Sequence, residues 1–251
     1  MRPVLICAAL MAATPSLAAD MEAAKALYSP APAFSWDRFY IGGNVGGSWA
    51  SNNTSEIENI APTTYSHIQD TGRATAGFQA GYNYQVGKLI AGVEADINYG
   101  GFKSEAALAD TIAYYSASLV TSSEVDWFGT ARARIGLAPV DRLMIYATGG
   151  LAYGSVKMGY AMGVTNGTTY SASAPSQASM QFGWTAGAGA EYAFLNNISF
   201  RIEYLHIDLG TADYSATLYT TIPGIGPYAI RRSATSDTAF DIARAGVNWL
   251  F

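Results

Sequence analysis

Glu94 and Asp96 stand two apart in the run Val93-Glu94-Ala95-Asp96. On a β-strand that spacing places both carboxylates on one face, where such a pair can divide the roles of general acid and general base. Seven further charged residues sit in comparable alternating runs: Asp126, Arg132, Arg134, Glu191, Arg201, Glu203 and Arg244. Five acids and four arginines facing a common interior would have to pair, because a charge buried alone is strongly destabilising. Arginines so close to Glu94 and Asp96 would also neutralise a catalytic pair. Two readings remain open. One is an interdigitated salt-bridge plug that closes an interior. The other is a narrow wet path gated by an arginine–carboxylate pair, a task suited to the bidentate guanidinium fork.

Other side chains with chemical potential are few. The two histidines are His67 and His206. His206 can be drawn with Asp208 and Ser215 as a nucleophilic set, but the spacing is unspecific and a solvated histidine at a strand end is the simpler reading. His67 with Tyr65 can be drawn as a haem-ligand pair, since haem iron is held by His or Tyr in several protein classes. Tyrosine- and threonine-rich loops around them are equally ordinary surface fabric. No catalytic residue is assigned, no metal site is read, and haem is the one cofactor the residues suggest.

The charged residues must be positioned by strands, because period-two alternation recurs eight times. It runs through Phe39–Trp49, Thr75–Val86, Leu89–Tyr99, Glu124–Leu137, Leu143–Gly154, Ser179–Phe194, Ile198–Leu209 and Ala239–Phe251. In the sixth, Met180, Phe182, Trp184, Ala186, Ala188, Ala190, Tyr192 and Phe194 oppose Gln181, Thr185, Gly187, Gly189 and Glu191. In the last, Phe251, Trp249, Val247, Ala245 and Ala243 oppose Leu250, Asn248, Gly246, Arg244 and Ile242. In the seventh, the phase becomes uncertain beyond Leu205. An apolar face tipped by aromatics, beside a partly polar face, suits a strand between lipid and a polar barrel interior.

The connections sharpen this. Gly87-Lys88, Ala138–Arg142 and Leu195–Asn197 are short, whereas Ala50–Gly72, Gly101–Ser123, Ser155–Ala178 and Gly210–Thr238 are long and polar. Strict alternation of short and long links is the pattern of outer-membrane barrels, with tight periplasmic turns and longer surface loops. The expectation is an all-β, eight-stranded antiparallel up-and-down transmembrane β-barrel with four long surface loops. Both termini would then be periplasmic.

Composition agrees. The 251 residues include 26 Gly and 17 Tyr, and 13% are charged, against about 25% in an ordinary soluble protein. No apolar stretch reaches the roughly 18 residues of a membrane-spanning helix. A formal net charge of −5 argues against a nucleic-acid partner, which requires a basic face. Residues 1–18 combine one positive residue, a short apolar run and the small-x-small site Ser16-Leu17-Ala18, the marks of a secretory signal peptide. Cleavage is expected after Ala18, with Ala19 as the alternative; Cys7, the single cysteine, would leave with it. Residues 19–35 read as a Pro-containing periplasmic tail, and 36–251 as the barrel.

The stretch Trp36-Asp37-Arg38-Phe39-Tyr40-Ile41-Gly42-Gly43-Asn44-Val45-Gly46 resembles the opening W-x-G-F-Y-x-G-x-x-x-G of small porin-family outer-membrane proteins, with Arg38 in place of the usual Gly. Trp127–Gly136, Tyr146–Gly154, Gly183–Gly189 and Arg244–Phe251 match the same family. The chain is similar to the major surface-antigen barrels of alphaproteobacteria over nearly its whole length after the signal. The resemblance implies contact with outer-membrane lipid and lipopolysaccharide, and a role in envelope integrity and surface presentation. It also implies that Phe251, Trp249 and Val247 form a C-terminal signal for the barrel-assembly machinery. Some relatives are credited with haemin binding, but no haem motif carries over residue by residue, and the porin label does not establish a channel. Oligomeric state is not readable.

Overall fold

The computed structural model describes residues 34–52, 55–56, 65–112, 115–165, 169–222 and 226–251. Residues 1–33, which hold the expected signal peptide and most of the expected tail, lie outside them. The strands are β1 (Arg38–Asn52), β2 (Ser55–Glu56), β3 (Tyr65–Thr71), β4 (Arg73–Val86), β5 (Leu89–Tyr99), β6 (Lys103–Ile112), β7 (Tyr115–Val140), β8 (Leu143–Thr165), β9 (Thr169–Ala193), β10 (Ile198–Ile222) and β11 (Gly226–Leu250). Eight of them close a ring in the order β1-β4-β5-β7-β8-β9-β10-β11, with every neighbour antiparallel. Closure comes from β1, whose Ile41 faces Ala80 on one side and Trp249 on the other. The remaining three, β2, β3 and β6, pair beyond the ring at the long-hairpin end.

The alternation decides which way each side chain points. On β4, Phe78 is 75% exposed whereas its neighbour Gln79 is 3% exposed. Around the ring the outward set is Phe39, Ile41, Val45, Val93, Ile135, Leu151, Phe182, Ile202, Val247 and their neighbours. An inverted surface of this kind is stable against lipid, not water. Aromatics mark its two edges. Trp49, Tyr99, Trp127, Tyr153 and Trp184 lie toward the long hairpins; Phe39, Tyr84, Tyr192, Phe200 and Trp249 lie toward the short turns.

The strands differ from expectation in length. Three of the four stretches read as loops are largely β-ladder: Lys157–Thr165 and Thr169–Ala178 pair with each other, as do Thr211–Ile222 and Gly226–Asp237, and β6 pairs with the first half of β7. Both faces of these segments carry Ser, Thr and Tyr, so the hydropathy period vanishes although the strand propensity of Thr and Tyr remains. The ring itself splits at one place. The β9–β10 ladder ends at Trp184–Asp208, where Asp208 Oδ1 accepts the Gly210 N–H at 2.7 Å and Gly210 adopts φ +74°. That left-handed conformation favours glycine, and a bulge between Asp208 and Thr211 turns β10 away.

Candidate functional site

The lumen is filled in three layers. In the middle, β5 directs Glu94 and Asp96 inward, β7 adds Arg132 and Arg134, β9 adds Glu191, β10 adds Arg201 and Glu203, and β11 adds Arg244, all buried. Glu94 is the hub. It accepts from Arg132 Nη2, from Arg201 Nη1 at 2.5 Å and from Arg134 Nη1 at 3.4 Å, and lies 3.7 Å from Arg244 Nη2. Glu203 accepts from Arg132 Nη1 at 3.1 Å and from Arg244 Nε at 2.8 Å. Asp96 Oδ2 accepts from Arg132 Nη2 at 3.1 Å and from Arg244 Nη2 at 3.0 Å.

Neutral groups complete the carboxylates. Thr130 and Asn98 each donate to Asp96 at 2.8 Å. Ser199 Oγ and Asn248 Nδ2 donate to Glu191, at 2.5 and 2.8 Å. Tyr40 donates to Glu94 at 2.6 Å, and Tyr146 to Glu203 at 2.9 Å. The Arg134 guanidinium lies 4.6 Å from the Tyr40 ring and 5.1 Å from the Tyr146 ring, a geometry in which both quadrupoles attract it. Each tyrosine lies over a glycine on the next strand: a Cβ at Gly81 would come within 2.2 Å of the Tyr40 hydroxyl, and one at Gly189 within 2.6 Å of Tyr146. Sequence reading missed both tyrosines. The available signal was the Tyr–Gly pairing across neighbouring strands, Tyr40–Gly81 and Tyr146–Gly189.

Asp126 does not join this set. A bulge between Val125 and Trp127 reverses the phase of β7, so Val125 and Phe128 both point inward. Asp126 pairs instead with Lys157 at the barrel's edge. What remains is balanced: Glu94, Asp96, Glu191 and Glu203 against Arg132, Arg134, Arg201 and Arg244. The Glu94 and Asp96 carboxylates are both occupied by arginines, which leaves neither available as a base.

Apolar layers bound the network on both sides. Toward the long hairpins, Phe102, Val125, Phe128, Val156, Met158, Leu205, Ile207, Leu209, Phe240 and Ile242 fill the lumen, with Phe240 5.3 Å from Phe102 and 5.4 Å from Phe128. Toward the short turns, Trp36, Ile90, Ala138, Met144, Tyr146 and Ala193 pack together with Phe34 against them. Trp36 is tied in place: its backbone N–H donates to Gln85 Oε1 at 2.7 Å and its indole to the Asp141 carbonyl at 3.1 Å.

The remaining candidates separate. His206 does not meet Asp208, which holds Gly210; its Nδ1 lies 2.8 Å from Asp241 Oδ1 on the outer wall. The side chain of Ser215 lies outside the described residues. Tyr65 and His67 belong to β3, opposite Ala109 and Ala107 of β6, and their side chains also lie outside the described residues. Phe251 sits at the end of β11, its N–H donating to the Phe39 carbonyl at 2.9 Å, with Trp249 and Val247 on the same outward face.

Comparison with known proteins agrees with the ring. The family described as "Outer membrane protein beta-barrel domain" matches residues 5–251. The 31 kDa outer-membrane immunogenic protein of Brucella melitensis is 36% identical over 217 residues, covering 82% of this chain and 86% of that protein. The 22 kDa outer membrane protein of Rhizobium leguminosarum is 32% identical over 189 residues, covering 73% of this chain and 69% of that one. Among solved structures, the outer membrane protein OprG of Pseudomonas aeruginosa aligns with a TM-score of 0.48 at 10% identity, over 85% of this chain and 96% of that one.

Removing one arginine from a balanced buried set leaves an uncompensated buried negative charge, at a cost of about 3–5 kcal/mol. Arg132→Ala is therefore expected to lower the urea midpoint of the folded barrel markedly, whereas Asp126→Asn leaves it within experimental scatter. Equal midpoints for Arg132→Ala and the parent would place Arg132 outside the load of the network.

Proposed function

Since the chain belongs to the outer membrane protein β-barrel family, we propose that it is a closed structural barrel that stiffens the outer membrane and presents its long hairpins at the cell surface. In this reading the short turns and both termini are periplasmic, and the apolar outer wall contacts membrane lipid and lipopolysaccharide. The observation that carries it is the filling of the lumen. A charge-balanced network lies between two apolar layers, and the phenylalanine-lined layer fills the lumen above it with buried aromatic and aliphatic side chains. A pore would need both layers to open together, which sets the closed barrel above the narrow-porin reading. The immunogenic relatives support surface presentation, because long two-stranded hairpins standing clear of the membrane are accessible to antibodies.

The same reading gives the C-terminus a role in assembly. Phe251, Trp249 and Val247 end the strand that closes the ring on β1, and their outward apolar face is available before closure. We infer that the barrel-assembly machinery recognises this face.

Two measurements test these proposals. The refolded chain from Ala19 onward is expected to be electrically silent in a planar bilayer. Phe128→Ser combined with Phe240→Ser and Arg132→Ala is expected to give discrete conductance steps. Reproducible steps from the unaltered folded barrel would overturn the closed reading. In cells, Phe251→Ser is expected to reduce the heat-modifiable folded form in the outer membrane several-fold; parental levels would remove the assembly role.

A further inference from the structure

Of the layers that fill the lumen, the one toward the short turns is capped by residues that belong to no strand. Phe34 and Trp36 precede Arg38–Asn83, the first pair of the β1–β4 ladder. The charged network stands on β5, β7, β9, β10 and β11. The layer toward the long hairpins stands on β7, β8, β10 and β11, joined by Phe102, whose carbonyl accepts the Val125 N–H at 3.0 Å. Those side chains remain in the lumen for as long as their ladders hold. Phe34 and Trp36 are under no such constraint. Yet the strap they form reaches across the mouth: Trp36 is fully buried against Ile90 of β5 and against Met144 and Tyr146 of β8. β8 stands four strands from β1 in either direction round the ring, directly opposite it.

What holds the strap is distinct from what holds the ring. Trp36 donates its backbone N–H to Gln85 Oε1 at 2.7 Å and its indole N–H to the Asp141 carbonyl at 3.1 Å. Phe34 meets the Trp36 ring edge-on at 5.1 Å. The Arg38 and Arg142 guanidinium groups each lie 5.4 Å from the Phe34 ring, close enough for its quadrupole to attract them. Both are fixed at the β9–β10 turn, Arg38 donating to the Asn196 carbonyl at 2.6 Å and Arg142 to Asn196 Oδ1 at 2.7 Å. All of these are contacts at the rim. Asp37, between strap and strand, stays on the outer wall, where its Oδ1 accepts the Tyr82 hydroxyl proton at 2.6 Å. We propose that residues 34–36 are a stopper that pivots at Asp37, seating on the closed ring and lifting from it while all eight strands stay paired. Lifting lets water reach Ile90, Met144 and the ring of Tyr146, whose hydroxyl bonds Glu203. The wall side chains of that layer and the phenylalanine-lined layer stay in place, so the lumen becomes accessible from one mouth and passes nothing through. Calling that mouth periplasmic rests on the proposed orientation; the stopper does not.

Native-state hydrogen exchange of the refolded chain from Ala19 onward tests this without any variant. The backbone and indole N–H of Trp36 are expected to exchange about a hundredfold faster than the ladder N–H groups of Ile41 and Val45, at a rate that low urea leaves unchanged, the mark of a local opening. Equal protection of Trp36 and the ladder would tie the strap to global unfolding and overturn the proposal. A second measurement uses thiol reactivity, since Cys7 is the single cysteine and the chain from Ala19 has none. Ile90→Cys lies beneath the stopper and Ile207→Cys in the opposite layer, both at positions that are fully buried. With sulfonatoethyl methanethiosulfonate, Ile90→Cys is expected to react about tenfold faster than Ile207→Cys, and adding Trp36→Ala to speed it about tenfold again while leaving Ile207→Cys unchanged. Heat-modifiability certifies folding. Trp36→Phe, which keeps a ring but loses the indole donation, stands in if Trp36→Ala does not fold. Ile90→Cys as inert as Ile207→Cys, or acceleration of both thiols together, would overturn the proposal. Conductance of the unaltered barrel is read separately, so failure of the closed reading and failure of the stopper are distinguishable.

Discussion

The Glu94 carboxylate meets all four lumen arginines, and the interior of an eight-stranded ring depends on that convergence. Such a ring leaves space for side chains and little else, so every inward charge must find its counter-charge within the same cross-section. Arginine suits this task because its planar fork can serve two carboxylates at once, as Arg132 does for Glu94 and Glu203. The apolar layers above and below exclude water and strengthen each pair by lowering the local dielectric. They also make an unpaired partner costly, which ties network and layers into one unit.

This coupling constrains the backbone as well. Side chains alternate with period two, so a one-residue slip of any strand would carry its charges into lipid and its aliphatic side chains into the network. Register is accordingly uninterrupted where the charges lie. The bulges fall at the ends or beyond them: Ala50/Asn52, Val125/Trp127, Met158/Tyr160 and Asp208/Thr211 toward the long hairpins, and Leu137/Val140 at a short turn. An extra residue is tolerated there because the outward side chain no longer has to be apolar.

The same physics determines what could be read from the residues alone. Where lipid lies outside and charge inside, polarity alternates, and the middle of all eight strands is legible. The phenylalanine-lined layer was not, because its inward residues are as apolar as their lipid-facing neighbours. Around Val125 the alternation continues undisturbed in hydropathy, since Val125 and Trp127 are both apolar; yet one lies in the lumen and the other on the wall. The bulge between them removed Asp126 from the network and could not be seen. The uncertain phase beyond Leu205 has the same origin: Leu205, Ile207 and Leu209 are simply the inward apolar layer. Beyond the membrane both faces are wet, and strands became indistinguishable from loops.

A filled lumen moves every encounter to the outside of the molecule. Two kinds of surface then remain. The hairpins extend the ladder well past the ring, which gives their tips a rigid base, and the break between β9 and β10 at Asp208 allows the two halves to diverge. The wall is largely apolar, and a carboxylate set into it at the long-hairpin edge, Asp241, accepts from Tyr204 and lies against His206 Nδ1. Lipid contact alone would be served better by an aliphatic residue at position 241.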